Sequence, residues 1–519
     1  MSRYRYYRVF IRKKKNKSGK ISIQIIDKSG GKYKVVKTLG CSSEKHKLTQ
    51  LIKEAQIEIE RIRGQIDINF HAIQEKDLIE TFYRGIKDFR LVGPDMLLSR
   101  LFDEIGFSRL GDKLFKQLVL SRLEYPVSKL KTVDYLHTMK GIDIDITRIY
   151  RYMDKLHRDH IEQVKQIGYQ HAVTVCPSEK SIVFYDVTTL YFEAEDEDDL
   201  RKTGFSKEGK HQHPQILLGL LINSDGFPLT YEIFEGNKFE GHTMLPILEA
   251  FKQKYGLNQL VVVADSGLLS NKNISELEEK NYKYIVGARI KNSTEKIKAK
   301  LLALNLTDGQ CVLMSIDDRR KLVISYSTKR AKKDEHNKKR GLNRLEKAVG
   351  SGRLNKKHII NRGYNKYLKL VGQTDICIDY DKFNADAKWD GLKGYLTNTS
   401  LPKDEVIAQY QKLWLIEKAF RISKTDLRIR PIFHYVQRRI ESHICISFAA
   451  LVIYKELERQ LRLLKSSFSP EKAIDIVKTI YALRIISPLT NKEYCRLIVQ
   501  NKYQMELLRI FNISLDKVF

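Results

Sequence analysis

A chain of 519 residues is too long for one ordinary domain, and its 42% apolar content excludes wholesale disorder. Its 93 Lys and Arg against 63 Asp and Glu give a formal net charge of +30, a self-repulsion that nucleic acid would relieve, although Lys-rich codon usage accounts for part of it. The six cysteines (Cys41, Cys176, Cys311, Cys377, Cys445 and Cys495) are scattered without a C-x-x-C pair, which argues against zinc fingers and disulfide frameworks. Residues 1–5 lack the apolar core of a signal peptide, and the run Ile444 to Tyr454 is too short to span a bilayer, so a cytoplasmic protein without a membrane partner is expected.

Residues 1–66 read as a small β-rich module plus a helix, with strands at Tyr7–Ile11, Ile21–Ile26 and Tyr33–Thr38 and a helix from Ser43 to about Ile66. Residues 67–175 read as helical. There, Leu97, Leu98, Leu101 and Phe102 fall at helical spacing, and Lys131–His157 holds two helices with a break at Gly141. That pair fits either a helix-turn-helix or a plain packing unit.

The pattern changes at Ser181. An apolar strand (Ser181–Val187) precedes a hairpin, Gln215–Asn223 and Phe227–Phe234, joined at Ser224-Asp225-Gly226. A helix (His242–Tyr255), a strand (Leu260–Ala264), a helix (Asn271–Lys280) and a strand (Tyr282–Ala288) follow. Strand, hairpin, helix, strand, helix, strand is the order of an α/β ribonuclease H-like core. The core is expected over 176–292 and 389–465, interrupted by a β-rich basic insertion at 293–388. Within that insertion Ser325–Lys366 carries 14 Lys and Arg against 3 Asp and Glu, either a solvated face or a DNA contact. A strand at Gly391–Asn398, helices at Lys403–Leu427 and Arg438–Leu461, and a helical C-terminal region at 466–519 complete the expectation. In the last region Ala473, Ile474, Val477, Ile480 and Tyr481 form one helical stripe that packs on the chain's own core or on a second copy.

Three carboxylates stand out. Asp186 lies inside an apolar strand, where burial is costly unless the charge is paired or metal-bound, although Asp also caps strand ends. Asp265 directly follows Val261–Ala264, at the carboxyl end of a strand where open α/β sheets place ligands, or it caps the turn. Glu417 interrupts the stripe Tyr410, Leu413, Phe420, Lys424; the alternative is an exposed pair with Arg421. Together they suit magnesium, which takes hard oxygen ligands and serves in-line phosphoryl displacement as a pair of ions. No Walker loop, Gly-rich dinucleotide turn or H-E-x-x-H motif is present.

Asp186–Glu193 (DVTTLYFE), Gly204–Lys210 (GFSKEGK), Gln215–Gly219 (QILLG), Gly236-Asn237 and Val263–Asn271 (VADSGLLSN) resemble bacterial insertion-sequence transposases of the DDE type, in the ribonuclease H-like and retroviral-integrase superfamily. The resembling branch, the IS-four-like transposases, is marked by Y-x2-R-x3-E-x6-K. Tyr410, Glu417 and Lys424 stand at those spacings, with Leu413 in place of the Arg. The resemblance continues through Arg428–Pro431 (RIRP), His434, Arg438, Arg439 and His443. It implies a catalytic and metal-binding triad of Asp186, Asp265 and Glu417 with two Mg2+ ions, for which Mn2+ substitutes. The 152 residues from Asp265 to Glu417 need an inserted domain, which the family has. Also implied are DNA contacts by Tyr410 and Lys424, with Arg421 or Arg428 serving for the missing Arg. Lys207 and Lys210 complete the expected DNA-binding set.

On this reading residues 67–175 recognise DNA ends. The partners are double-stranded DNA, as terminal inverted repeats and target, and a second copy of the chain, and the protein works at the bacterial nucleoid. The expected activity is strand cleavage and strand transfer. A structure-selective nuclease on the same core and a catalytically inactive DNA-binding relic are the alternatives. Trp389 and Trp414, the two tryptophans, could stack on an extruded base, with core packing the expected role for Trp414.

Overall fold

The computed structural model describes residues 8–63, 68–177, 181–193, 196–205, 209, 212–257, 259–268, 270–372, 375–487 and 490–514. The chain divides into two units, Met1–Phe89 with Leu483–Arg496 and Arg90–Ala482 with Leu497–Phe519.

In the first unit, β1 (Val9–Lys15), β2 (Ile21–Asp27) and β3 (Lys34–Ser42) form an antiparallel meander. Val9, Ile23 and Ile25 pack with Ala55 and Ile59 of α1 (Lys45–Arg63) into a small core. Next come α2 (Ile68–Gly85) and β4 (Ile86–Leu91).

The second unit begins with five helices: α3 (Gly93–Ile105), α4 (Lys113–Glu124), α5 (Lys129–Lys140), α6 (Ile146–Asp159) and α7 (Ile161–Val175). The side chains of Asp112, Ser128 and Asp145 accept from otherwise unpaired first-turn amides of α4, α5 and α6. Gly141, at φ 64, caps the end of α5 in the left-handed region, which is the physical basis of the break visible in the sequence.

A mixed sheet follows. Its elements are β5 (Ile182–Tyr191), β6 (Gln215–Ile222), β7 (Pro228–Glu235), α8 (Met244–Tyr255), β8 (Val261–Ala264), α9 (Asn271–Glu279) and β9 (Lys283–Ala288). β5, β8 and β9 run parallel, whereas β6 and β7 add antiparallel on the other side of β5. This is the chain order expected of the ribonuclease H-like core. At the β6–β7 turn Gly226 takes φ 82, and the Asn223 carboxamide oxygen accepts from the amides of Asp225 (3.1 Å) and Phe227 (2.9 Å).

Residues 293–388 correct the expectation of a β-rich insertion. They form α10 (Glu295–Leu302), β10 (Cys311–Ser315), β11 (Lys321–Tyr326), the long α11 (Thr328–Gly350), β12 (Leu368–Val371), β13 (Asp375–Ile378) and α12 (Tyr380–Ala387), so helix outweighs strand. Moreover, β10 and β11 continue the central sheet through β14 (Leu392–Thr397), giving the order β10-β11-β14-β9-β8-β5-β6-β7. The cause is twofold. Leu322 and Ile324 of β11 bury one face against Ile290 and Leu301. The Lys, Arg, Ala, Leu and Glu residues of α11 favour helix, and the Ser327 hydroxyl caps it.

The chain then forms α13 (Lys403–Gln411), α14 (Trp414–Thr425), α15 (Gln437–Leu463), α16 (Pro470–Val477), β15 (Tyr481–Ile486), β16 (Glu493–Ile498) and α17 (Lys502–Ile510). The C-terminal region is therefore not all helical: β4, β15 and β16 form a three-stranded sheet. The stripe expected on one helix is split, because α16 ends at Val477 and Tyr481 starts a strand. Ala473, Ile474, Val477 and Ile480 are buried in the same core as α3 and α15, so the chain itself covers them. Gly93 permits this approach: its amide donates to Ile480 at 3.0 Å, and an added Cβ would lie 2.1 Å from the Val477 carbonyl oxygen.

The sheet separates two apolar layers. Phe184, Leu218, Leu220, Val263 and Ile285 face the layer that holds α14 and α15, and Val183, Tyr185, Val187, Leu217 and Val262 face the layer that holds α8 and α9. Side chains alternate along a strand, so Asp186 shares the Phe184 face, toward α14. Among the described residues, no helix is long and apolar enough to cross a membrane.

Candidate active site

Asp186, Asp265 and Glu417 line one cleft of about 320 Å³, together with Tyr185, Lys393, Tyr410, Gln411, Leu413, Trp414 and Ile416. β5 presents Asp186 half-buried in mid-strand, where its Oδ1 accepts from the Val187 amide at 2.8 Å. Asp265 is exposed just past the last residue of β8, and its Oδ1 accepts from the Tyr410 hydroxyl at 2.9 Å.

Glu417 stands differently from the expectation. The helix anticipated over Lys403–Leu427 is interrupted between α13 and α14. Lys412 and Leu413 donate to Gln409 and Tyr410, and Leu415 and Ile416 to Lys412 and Leu413, all i to i+3 bonds of a tighter turn. This turn shifts the helical phase, so α14 buries Ile416, Ala419, Phe420, Ile422 and Ser423 and leaves Glu417 exposed at the cleft. Among the described residues no ion pair joins Glu417 to Arg421, which is exposed one turn further on.

Tyr410 is buried rather than presented to solvent. Its ring lies 4.9 Å from Tyr395 and 4.4 Å from the Lys393 ammonium, and burial with Asp265 beside it holds the phenol protonated. Gly287 makes the geometry possible, since an added Cβ would sit 2.6 Å from the Tyr410 hydroxyl. Lys393 is pushed down by burial and by Arg330, against the pull of Asp265.

A second cleft of about 490 Å³ adjoins the first, sharing Asp265, Lys393 and Tyr410 and adding Arg289, Lys291, Arg330 and Trp389. Among the described residues its one acidic lining residue is Asp265. Of the basic stretch Ser325–Lys366, Arg330 thus reaches the site, while most cations of α11 are exposed along its length. Sequence reasoning missed Lys393, Arg289 and Lys291. They sit at the edges of β14 and β9, and only the added strands of the sheet bring them beside Asp265.

Trp414 corrects the expectation of core packing. It is 55% exposed and lines the cleft, because it opens α14 on the solvent side of the tight turn. Trp389 packs partly into the small core of Ile290, Leu301, Leu322 and Ile324. Arg428 is exposed at φ 44, and Lys424 is half-buried; neither lines the triad cleft. Lys207 and Lys210 lie outside the described residues.

Three carboxylates on a phosphate-friendly, cationic surface form an all-oxygen donor set of the class that hard divalent cations take. Among the described residues no group of three or more His, Cys, Asp and Glu makes a ready-made metal cage.

Residues 177–453 match the family model described as transposase DDE domain. No curated protein matches the chain. Among solved structures, the chain is similar to piggyBac transposase in a synaptic complex with hairpin DNA, at 10% identity over 85% of this chain and 86% of that one, with a TM-score of 0.37. It is also similar to Mos1 transposase in a paired-end complex with the left transposon end, at 15% identity over 36% of this chain and 56% of that one, with a TM-score of 0.16. The family match spans more than half of the 519 residues and includes all three cleft carboxylates, and the chain belongs to the transposase DDE domain family.

Proposed function

We propose that this chain is a DNA transposase that binds insertion-sequence ends, cuts DNA strands and joins them to target DNA, using Asp186, Asp265 and Glu417. The observation that carries the reading is the meeting of these three carboxylates, far apart in sequence, in one cleft within the family-matched stretch. The carboxylates would hold two Mg2+ ions (Mn2+ substituting), whose chemistry is to activate a water or 3′-hydroxyl and to stabilise the leaving oxygen.

The chain's own residues do the rest. Tyr410 fixes the Asp265 carboxylate through its hydroxyl, leaving Oδ2 for other ligands. Lys393, Arg330 and Arg289 line the approach and hold backbone phosphates. Trp414 offers an exposed aromatic face to a base. Residues 67–175 serve end recognition, and the working form is a dimer on paired ends, because concerted cutting needs two active sites. Tyr410, Glu417 and Lys424 keep the spacing of the IS-four-like branch, and Arg421 or Arg428 stands in for its Arg at Leu413.

The test is incubation with a labelled duplex carrying one element end plus supercoiled target, in magnesium and in chelator. Joined strands that need the metal are expected. Nicks without joining would make the protein a nuclease, and retention without cleavage would make it a binding relic.

A further inference from the structure

Away from the triad cleft, the second unit holds a cavity of about 570 Å³ lined by Arg122, Lys129, Arg428, Arg430, His434 and His443 among others, with no Asp or Glu among the described residues of its wall. Two of these cations are buried without a counter-charge among the described residues. Arg122 is 4% exposed; its guanidinium reaches the carbonyls of Leu427 and Arg428, each at 3.5 Å, and Nδ1 of His443 at 3.4 Å. Lys129 is likewise 4% exposed, and among the described residues no carboxylate acts on it. Burial pushes Arg122 down to about 10 and Lys129 well below its ordinary value, with Arg122 adding repulsion at Lys129.

The other buried lysines show what is missing. Lys140 meets Asp95 and Glu124, both at 2.8 Å, and Lys165 meets Glu232 at 3.0 Å. A charge removed from water is costly unless paired, so a cavity with two unpaired cations in its wall is built for an anion that arrives from outside. The remaining wall fits one. Burial, with Lys129, Arg122 and Arg439 around it, pushes His434 down to about 3, so its ring is neutral and keeps an N–H to donate. Helix α5, 12 residues long, starts at the cavity, adding the positive end of its dipole.

We propose that this cavity is a phosphate-binding site that holds a DNA backbone phosphate away from the cleaved bond, an inference resting on the transposase reading. The fold ties the site to the triad. The Ile432 amide donates to the Tyr191 carbonyl at 3.2 Å, and the Arg430 guanidinium lies 5.7 Å over the Tyr191 ring. Tyr191 ends β5, the strand that carries Asp186. The two residues lie about 17 Å apart at roughly 3.3 Å per residue, equal to the rise of about five nucleotides. A duplex whose scissile phosphate meets the triad thus has a second phosphate within reach of the cavity.

The test compares the full chain with Lys129→Gln and with Lys129→Arg, which keeps the charge. Thermal unfolding is followed in inorganic phosphate against chloride of equal ionic strength, and DNA affinity is followed against salt. Phosphate is expected to raise the midpoint of the native chain and of Lys129→Arg, but not of Lys129→Gln. Lys129→Gln should itself melt no lower than the native chain, since it loses a buried unpaired charge. Its log–log salt slope for DNA should fall by about one. A phosphate effect with an unchanged DNA slope assigns the site to free phosphate and overturns the DNA source. No phosphate effect on the native chain, with an unchanged slope, overturns the site altogether. Strand cleavage by the same native preparation is scored separately, so loss of the cavity claim does not count against the triad.

Discussion

Tyr410→Phe separates two roles for this residue. In the fold its hydroxyl donates to Asp265 at 2.9 Å, whereas the resemblance to insertion-sequence transposases implies a DNA contact. The substitution keeps the ring between Tyr395 and Lys393 and removes one oxygen, so the fold should hold. A hydrogen bond to a charged group contributes about 1.5–3 kcal/mol. Because Asp265 is exposed, water replaces part of that, which brings the loss just below that range, to about 1.4 kcal/mol or tenfold. Partners that orient metal ligands typically cost about 10–100-fold in metal affinity or activity when removed, which brackets the same value. The magnesium needed for half-maximal strand cleavage should therefore rise about tenfold, with DNA affinity nearly unchanged. Gly287→Ala should act in the same direction, since its Cβ would sit 2.6 Å from the hydroxyl and displace it. The assay is initial cleavage rate across a magnesium titration at fixed ionic strength, with DNA binding by anisotropy alongside. An unchanged magnesium requirement with weakened DNA binding would refute this reasoning and return Tyr410 to the DNA.

Gln at Arg330, Lys333 and Arg340, all exposed on α11, should weaken every DNA sequence alike and flatten the salt slope by about one per lost phosphate contact; an unchanged slope would make the helix a solvated face. The complex on a short duplex carrying one element end should contain two chains, and a one-chain, one-duplex complex that still joins strands would sink the dimer. Glu456 is 1% exposed; burial alone would raise its carboxyl, but hydrogen bonds from Arg459, His171 and Gln460 outweigh that and hold it at about 2. Its folded value lies below the ordinary 4.5, so its contribution to stability is complete above that pH and lost as pH falls toward about 2. Glu456→Gln should accordingly cost about 3 kcal/mol of stability at pH 7 for a broken buried pair, lower the melting midpoint and flatten the acid limb; an acid profile identical to the native one would contradict the assignment.

The central strands were legible because they are short apolar runs bounded by turn residues. Leu260–Ala264 is read to within one residue of β8, and the Asn223–Gly226 turn carries its own geometry in its residue types. Asp265 was legible for the same reason, as a carboxylate directly after such a run. Local pattern failed where distant chain decides. Nothing in Lys321–Tyr326 says that it will extend the main sheet rather than found another, since that depends on β14 lying beside β9. Tyr481–Ile486 continues an apolar spacing that suits a helix until β4 supplies the pairing partner. At the site, the tight turn at Lys412–Leu413 has no Gly or Pro to announce it. The stripe argument consequently reached Glu417 but gave it the wrong exposure. The unpaired Arg122 and Lys129 were invisible in sequence, because burial without a counter-ion is a property of the packed chain.

The most direct measurement of the central claim is strand cleavage and joining by Asp186→Asn, Asp265→Asn and Glu417→Gln, each beside the native chain on the same end-bearing duplex in magnesium. These changes preserve shape and remove one charge each from the cleft. All three are expected to lose cleavage by more than a thousandfold, roughly 4 kcal/mol of transition-state stabilisation, while DNA retention, carried by phosphate contacts, changes little. A variant among them that cuts and joins DNA at the native rate would contradict the assignment of that residue, and normal activity in all three would place the chemistry elsewhere in the protein.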